Sequence, residues 1–221
     1  MNALTSITLP TVLGTPFEGG FYMGQYQIQG ERFALIRAPK ALGFHAPIHW
    51  GEYGLPIPDA DSFVDGLANT KAMAEAGSKL AAWALGLSIG GHNDWYLGAR
   101  DENEMIYRVC KPTTDENWCS FRDGDNPSSL PPGYPYTAVA PGQSPIAIFQ
   151  DGGEEALEAR SYWTSTQHGP DVAWIQGFVD GYQSSSTRTA HGPLSPSAES
   201  KSPLDHFAFL PRAPRAVGSN F

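Results

Sequence analysis

Residues 90–107 read GGHNDWYLGARDENEMIY, and this stretch decides how we expect the chain to fold. Its two glycines end the helical pattern that precedes them, and residues 94–97 then have the composition of a short strand. Residues 99–108 favour a helix whose first turn carries Asp101 and Glu102, because the positive end of the helix dipole stabilises carboxylates. The stretch therefore predicts a strand followed by a helix.

Upstream of this stretch the sequence predicts a hairpin and another helix. Residues 21–28 and 32–37 partly alternate apolar and polar side chains around the turn 29–31, which is typical of two antiparallel strands. Residues 67–87 lack proline, are rich in alanine and repeat apolar side chains at three- and four-residue spacing. That spacing predicts one helix with an apolar face.

Downstream, residues 111–160 contain seven prolines and five glycines. A loop of this length is uncommon in a compact domain unless it has a function or packs on the surface, and we expect it to include one helical turn at 152–158. Segment 182–206 is rich in serine, threonine and proline, which predicts an exposed loop. Three strands are predicted, at 161–166, 173–180 and 207–212.

The composition favours a loop-rich α+β protein. The chain has 221 residues, with 24 glycines and 19 prolines, and only 17% of it is charged, which argues against a helical bundle. The apolar fraction of 41% is enough to form a core. Because helices precede the later strands, we assign the α+β class. We divide the chain into an N-terminal arm and hairpin at 1–61, for attachment or oligomerisation, and a main domain at 62–221.

The charge argues against several classes of partner. The formal net charge is −9 and the sequence has no basic run, so we expect neither nucleic acid nor an anionic membrane as partner. No apolar stretch approaches the roughly 20 residues of a membrane span. Residues 1–4 lack the basic and apolar regions of a secretory signal peptide, so we expect assembly in a cytoplasm.

The motifs of catalysis and metal binding are not matched. Cys110 and Cys119 have no neighbouring histidine; one bridge between them is possible, but two free thiols are favoured. Residues 123–126, DGDN, place oxygen ligands at a spacing like that of a calcium loop, yet the later glutamate of an EF-hand is missing and a turn is favoured. We therefore expect no enzymatic activity, no metal and no cofactor.

Aromatic side chains crowd the last third of the sequence: Tyr162, Trp163, Trp174, Phe178 and Tyr182. Aromatic rings beside Asp, Asn and Gln suit sugars, because C–H faces stack on rings while carboxylates and amides bind hydroxyls. Packing of these rings in the core is the favoured alternative.

Four stretches together resemble a known family. They are 90–107, YWTST at 162–166, AWIQGFVDG at 173–181 and RAPRAV at 212–217. In this order they resemble the motifs of the C-terminal domain family of bacterial collagen-like adhesins, which is abundant in phage and prophage tail regions. The resemblance covers about 62–217. Two positions depart from the family pattern: Gly98 stands where proline is usual, and Pro214 interrupts the closing strand.

The resemblance implies a C-type lectin-like fold with two helices, antiparallel strands and long loops. It also implies that a set of residues defines the fold by being buried and hydrogen-bonded: Asp94, Trp95, Arg100, Trp163 and Trp174. The calcium motifs of sugar-binding C-type lectins, Glu-Pro-Asn and Trp-Asn-Asp, do not occur in this sequence, so calcium-dependent sugar binding is not implied. The cysteine arrangement of the sulfatase-activating enzymes that share the fold is not matched either.

The expected function is that of a non-enzymatic phage or prophage virion protein, a tail fibre, tail-tip or decoration component. It would assemble in the host cytoplasm with other virion proteins, as a homo-oligomer for which we expect a trimer, and display the lectin-like domain to a host glycan, a host protein or a neighbouring subunit. One alternative is a secreted glycan-binding adhesin, which needs an export route. Another is an enzyme on this fold, which would use His168, His191 or His206.

Candidate ligand residues come from the two long loops. Tyrosine and arginine contribute most per residue to interfaces, so the candidates are Tyr182, Gln183, Arg188 and His191, with Tyr134 and Tyr136. A loop that is flexible or docks on the particle is the favoured alternative at each of these positions.

Overall fold

The computed structural model describes residues 8–45 and 48–188, and the backbone of a strand at His206–Phe207. The fold is mixed α+β with antiparallel sheets, as predicted. The strands are β1 (Pro16–Phe17), β2 (Gly20–Ile28), β3 (Glu31–Arg37), β4 (Phe44–His45), β5 (Ser129–Leu130), β6 (Ser161–Gln167), β7 (Val172–Gly177), β8 (Gln183–Thr187) and β9 (His206–Phe207). The helices are α1 (Lys40–Gly43), α2 (Gly66–Glu75), α3 (Lys79–Leu85) and α4 (Arg100–Cys110), with a 3-10 turn at Ala147–Phe149.

Two antiparallel sheets form most of the regular structure. In the first, β2 pairs with β3 along its length, with β1 at its start and with β5 near its end. The β2–β3 connection confirms the predicted hairpin: Gln29 and Gly30 have φ values of 50° and 82°, and this positive pair matches the twist of the two strands. The second sheet has the order β6-β7-β8. Strands β4 and β9 form a separate pair.

The predicted helix over 67–87 is wrong as a single element, because the chain forms α2 and α3 instead. Gly77 has a φ of 88°, a left-handed conformation that ends a helix, and its amide donates to Ala74 O. Ser78 then begins α3, where its hydroxyl accepts a hydrogen bond from the amide of Ala81. Helix α4 confirms the helix predicted at 99–108.

Other predictions need correction. Segment 182–206 is not a loop at its start, because β8 pairs along β7. Its serines carry no apolar signal, so no strand was expected there. Residues 94–97 form no named strand, and residues 152–158 form turns while the 3-10 turn lies earlier. The predicted strand 207–212 lies outside the described residues except for Phe207.

The hydrophobic core has two parts. The larger part joins the β2–β3 hairpin to α4 and to rings such as Trp95, Phe149 and Phe178. The smaller part packs Trp50 and Trp163 against α2 and α3. Because the hairpin supplies Tyr22, Met23 and Leu35 among others to the larger part, the segment predicted as an arm is packed into the body of the fold.

Helix α4 lies at the centre of the molecule and is polar, although ten of its 11 residues are buried. Glu102 accepts hydrogen bonds from the amides of Ala99, at 2.7 Å, and Gly66, at 3.1 Å, and from the hydroxyl of Tyr96, at 2.7 Å. A buried carboxylate requires such donors, since an unpaired one costs several kcal/mol, on the order of the whole stability of a domain. The carboxylate thereby fixes the start of α2 against the start of α4.

Gly98, which stands where the motif that the sequence resembles has proline, is closely packed. A Cβ on Gly98 would lie 2.4 Å from Oδ1 of Asn103 on α4, so a larger residue at this position would displace that side chain. The amide group of Asn103 is held in turn by a hydrogen bond from Nδ2 to Trp163 O. The second departure, Pro214, lies outside the described residues.

Substituting Gly66 by alanine should destabilise the fold. A Cβ at this position would lie 2.4 Å from Glu102 Oε2 and 2.5 Å from Leu97 O, so either α2 or the buried carboxylate must move. We expect Gly66→Ala to lower the free energy of unfolding by about 2–4 kcal/mol, measured by chemical denaturation. Gly51→Ala is the matched control, since the nearest atom to a Cβ there is 3.8 Å away. Equal stability of the two variants would contradict this contact.

Stability should fall as the pH rises through neutrality. Burial raises the pKa of Glu102 to about 7 from a usual value of 4.5, and that of Asp101 to about 6 from 3.8. Between about pH 5 and pH 7 the folded chain therefore binds more protons than the unfolded chain, so protonation favours folding. We expect a melting temperature several degrees higher near pH 5.5 than near pH 8.

Glu102→Gln separates this titration from other effects of pH. Its carbonyl can accept from the two backbone amides, and its amide can donate to the Tyr96 oxygen while that hydroxyl turns to Tyr26, 3.0 Å away. The variant should therefore melt close to the wild type at low pH and above it near pH 8. A wild-type melting temperature that increases with pH over this range would refute the assignment.

Candidate functional site

The six predicted ligand residues have different surroundings. Tyr182 and Tyr134 are exposed, at 40% and 52% of their surface, as a binding role requires. His191 lies outside the described residues. The other three, Tyr136, Gln183 and Arg188, are buried, which corrects the expectation that they lie on exposed loops.

Tyr136 and Gln183 are buried because they satisfy helix α4. The Tyr136 hydroxyl donates to Glu104 at 2.9 Å, and burial raises the pKa of this tyrosine. Gln183 accepts a hydrogen bond from Nη2 of Arg100 at 2.7 Å, and its own amide donates to Gln176 at 2.8 Å. Both side chains therefore complete the polar interior rather than a surface.

Arg188 is buried because its guanidinium group binds the backbone of two neighbouring loops. Its central carbon lies 4.5 Å from the centre of the Trp50 ring, within the range of a cation–π contact. Its nitrogens donate to the backbone oxygens of Leu55, at 2.6 Å, and Gly169, at 2.7 Å. Its Nε has no hydrogen-bond partner among the described residues, but the whole group is buried, so this arginine offers no accessible donor to a ligand.

The exposed part of the site is a pair of rings, Trp118 and Tyr182, which we name the aromatic corner. Trp118 is 54% exposed, and the two ring centres lie 5.7 Å apart with their planes at 77°. The backbone holds both residues: the amide of Trp118 donates to Asp180 O at 2.8 Å, and the amide of Tyr182 donates to Asp180 Oδ1 at 3.1 Å. The corner is thus built on main-chain geometry.

Hydrogen bonds from a buried lysine hold the loop that carries Trp118. Lys111 Nζ donates to Asn117 Oδ1 at 2.9 Å, and also to the backbone oxygens of Asp115 and Pro141. The Tyr107 hydroxyl donates to the same Asn117 oxygen at 2.6 Å. Burial lowers the pKa of Lys111, and the polar oxygens around it keep the ammonium group solvated by the protein.

The loop that carries Tyr182 is fixed by close packing. Gly181 has a φ of 78°, and a Cβ there would lie 2.5 Å from the ring of Tyr107 and 2.7 Å from that of Tyr136. Only glycine allows this backbone to rest directly on the two rings. The two loops of the aromatic corner therefore both pack against the buried aromatic and polar side chains around α4.

A cavity of about 580 Å³ lies on another face, between the N-terminal segment, β2, α4 and residues 129–134. Tyr134 and Arg108 form part of its wall, and the Arg108 guanidinium carbon lies 4.2 Å from the centre of the Tyr134 ring. Arg108 Nη2 donates to the backbone oxygens of Tyr134 and Gly124, and Nε lies 2.5 Å from Glu104 Oε1. The charge of Arg108 is therefore already balanced within the protein.

The candidate calcium residues serve as hydrogen-bond partners of the protein. Asp123 accepts from the Ser120 hydroxyl at 2.5 Å and from the backbone N–H of Gln183 at 3.3 Å. Asn126 donates to Glu104 at 2.7 Å. Within residues 8–45 and 48–188, no three His, Cys, Asp or Glu side chains are grouped so that they could hold a metal ion.

Cys110 and Cys119 are free thiols, as favoured from the sequence. Cys110 is buried beside Met23, with its sulfur 3.7 Å from the methionine sulfur, whereas Cys119 is exposed. In the described part of the chain, no helix has the length and apolar character needed to cross a bilayer.

Of the residues expected to define the fold, Trp95, Arg100 and Trp163 are buried, as predicted. Asp94 and Trp174 are only half-buried. Trp118 was not among the predicted ligand residues, because it lies in a loop without the helical or strand periodicity that marks a position in the sequence.

Comparison of the chain with protein-family models, with curated proteins and with solved structures finds no match.

Replacing Lys111 by methionine should loosen the loop that carries the aromatic corner. The change keeps the apolar stem but removes the ammonium group that donates to the oxygens of Asn117, Asp115 and Pro141 together. We expect a loss of about 2–4 kcal/mol in stability, and faster amide exchange at 113–118 and 137–141 than in β2. Lys71→Met, at an exposed position on α2, is the control and should change neither measurement. Unchanged exchange in Lys111→Met would exclude the anchoring role.

Proposed function

We propose that the protein is a non-enzymatic virion component of a phage or prophage, in a tail fibre, tail tip or decoration, that displays a C-type lectin-like domain for binding. The observation that carries the proposal is the aromatic corner. Two large rings are exposed side by side on loops whose backbones are fixed by a buried polar interior. Such an arrangement suits recognition of another molecule, because little conformational entropy is lost when it binds.

The lectin-like assignment is supported by where the resembling motifs lie. Trp95 and helix α4 from the first motif and Phe178 from the third pack in one core, and Trp163 from the second packs beside α2 and α3. The antiparallel sheet β6-β7-β8 follows helices α2, α3 and α4 and a long connecting segment, an order that agrees with that kind of domain.

A binding role also agrees with the use of the ionisable side chains. Glu102, Glu104 and Arg100 are buried, and each is paired with donors or acceptors of the chain itself. The burial of these ionisable groups is thus explained by stabilisation of the fold. A catalyst, in contrast, presents its titratable groups in an open cleft.

The N-terminal region offers a surface for attachment. The hairpin is packed in the core, but Val12 and Leu13 just before it are 64% and 46% exposed. Apolar side chains of this kind fit a contact with other virion proteins or with sister subunits of a homo-oligomer, for which we propose a trimer.

A secreted adhesin that binds glycans is the second candidate function. The same aromatic corner favours it, because a ring pair at the surface would serve a bacterial surface protein equally well. The two candidates differ in where the protein is found, in assembled particles or outside the cell.

Mass spectrometry of gradient-purified particles from a lysogen carrying the gene tests the proposal. We expect the protein in the particle fraction at a fixed ratio to other tail proteins, and the purified protein should be oligomeric by light scattering. Electron microscopy with a specific antibody fragment should label a discrete part of the particle. A protein that stays monomeric and is absent from particles would contradict the proposal, and its recovery from the culture medium would favour the adhesin.

A further inference from the structure

The aromatic corner consists of two exposed rings that meet nearly at a right angle. The indole of Trp118 and the phenol ring of Tyr182 meet at 77°, and 54% and 40% of the two side chains is accessible. We propose that this corner is a stacking site for one pyranose ring of an uncharged or amino-bearing glycan. This inference rests on the proposed function, whose binding surface it identifies.

A pyranose fits because it has two kinds of surface. Its C–H face can lie on an indole, and a second ring at nearly a right angle contacts the edge of the sugar. Its hydroxyls need acceptors, and the loops that carry the two rings contain carboxylates: Asp115 and Glu116 precede Trp118 in one loop, and Asp180 precedes Tyr182 in the other. Apolar faces with polar groups at the rim are what an amphipathic ring requires.

The charge around the corner selects among sugars. Asp115 and Glu116 are exposed and Asp180 is half-buried, while the cation beside them, Lys111, is buried and already donates to three oxygens. The two loops that carry these carboxylates lie side by side, since the Thr113 hydroxyl donates to Val179 O at 3.2 Å and the amide of Trp118 donates to Asp180 O at 2.8 Å. The exposed cation of the loop that carries Trp118, Arg122, lies against another ring, with its guanidinium carbon 5.5 Å from the centre of the Phe63 ring. The three carboxylates therefore disfavour carboxylated and sulfated sugars, whereas they do not repel a neutral or amino sugar.

The site is already formed in the free protein. Asp180 ties the two loops together through its backbone oxygen and its carboxylate, and the amide of Gly177 donates to Tyr182 O at 2.8 Å. Neither ring must move far to accept a sugar, so little binding free energy is lost in ordering the two loops.

Saturation-transfer NMR with methyl glycosides tests the inference. The neutral and amino probes are the glucosides, galactosides, N-acetylglucosaminides and glucosaminides; the acidic probes are the glucuronides and sialosides. We expect transfer to at least one neutral or amino probe and none to the acidic ones. Trp118→Ala should weaken the binding at least about tenfold, and Trp118→Phe should retain part of it.

The control is Tyr53→Ala. Tyr53 is 59% exposed and lies in the loop that Arg188 holds beyond the far end of β8, whereas Tyr182 precedes that strand. This variant should bind as the wild type does. Transfer to no neutral or amino probe, equal binding by Trp118→Ala, or preference for acidic probes would each overturn the inference.

The result is separable from that of the proposed function. Binding of the wild type and of Trp118→Ala to host cells with equal strength would remove the sugar site and leave a virion role intact. Absence of the protein from particles, together with Trp118-dependent transfer, would remove the virion role and leave the sugar site.

Discussion

The burial of the polar helix α4 is the constraint on which the rest of the structure depends. Its carboxylates cannot be placed in a dry interior without donors, and the donors come from distant parts of the chain: Gly66 and Tyr96 for Glu102, and Asn126 and Tyr136 for Glu104. Each donor brings its own loop or helix end to α4. A helix with apolar residues in these places would pack, but it would not specify which loop lies where.

Arginine side chains hold the long loops in place in the same way, by donating hydrogen bonds to residues elsewhere in the chain. Four guanidinium groups lie against aromatic rings and donate to oxygens elsewhere in the chain: Arg37 to Glu155, Arg100 to Arg122 and Gln183, Arg108 to Gly124 and Tyr134, and Arg188 to Leu55 and Gly169. The planar fork of donors holds carbonyls of different segments in a fixed geometry, whereas the ammonium group of a lysine, which can also bind several oxygens, imposes no such plane. This explains how a chain so rich in glycine and proline keeps its connections in place with short strands.

The elements with a clear local side-chain pattern could be predicted from the sequence. The β2–β3 hairpin, α4, β6 and β7 were found because side-chain alternation, turn residues and helix spacing act locally. The break between α2 and α3 was missed, since Gly77 and Ser78 lie within an otherwise continuous alanine-rich pattern. Strand β8 was missed because its serines pair through the backbone. Gln183 and Arg188 were placed at the surface because burial of a polar side chain depends on partners far away in sequence.

The aromatic corner follows a different rule from the interior beneath it. Around α4 the side chains make the contacts, so each residue type is fixed by its partners. At the corner the backbone makes them: the amides of Trp118 and Tyr182 donate to Asp180, and any residue but proline has such an amide. The identity of the two exposed side chains can therefore change with little effect on the fold. If the corner binds as proposed, its specificity can vary while the scaffold is kept, because the exposed rings are not the residues that determine stability.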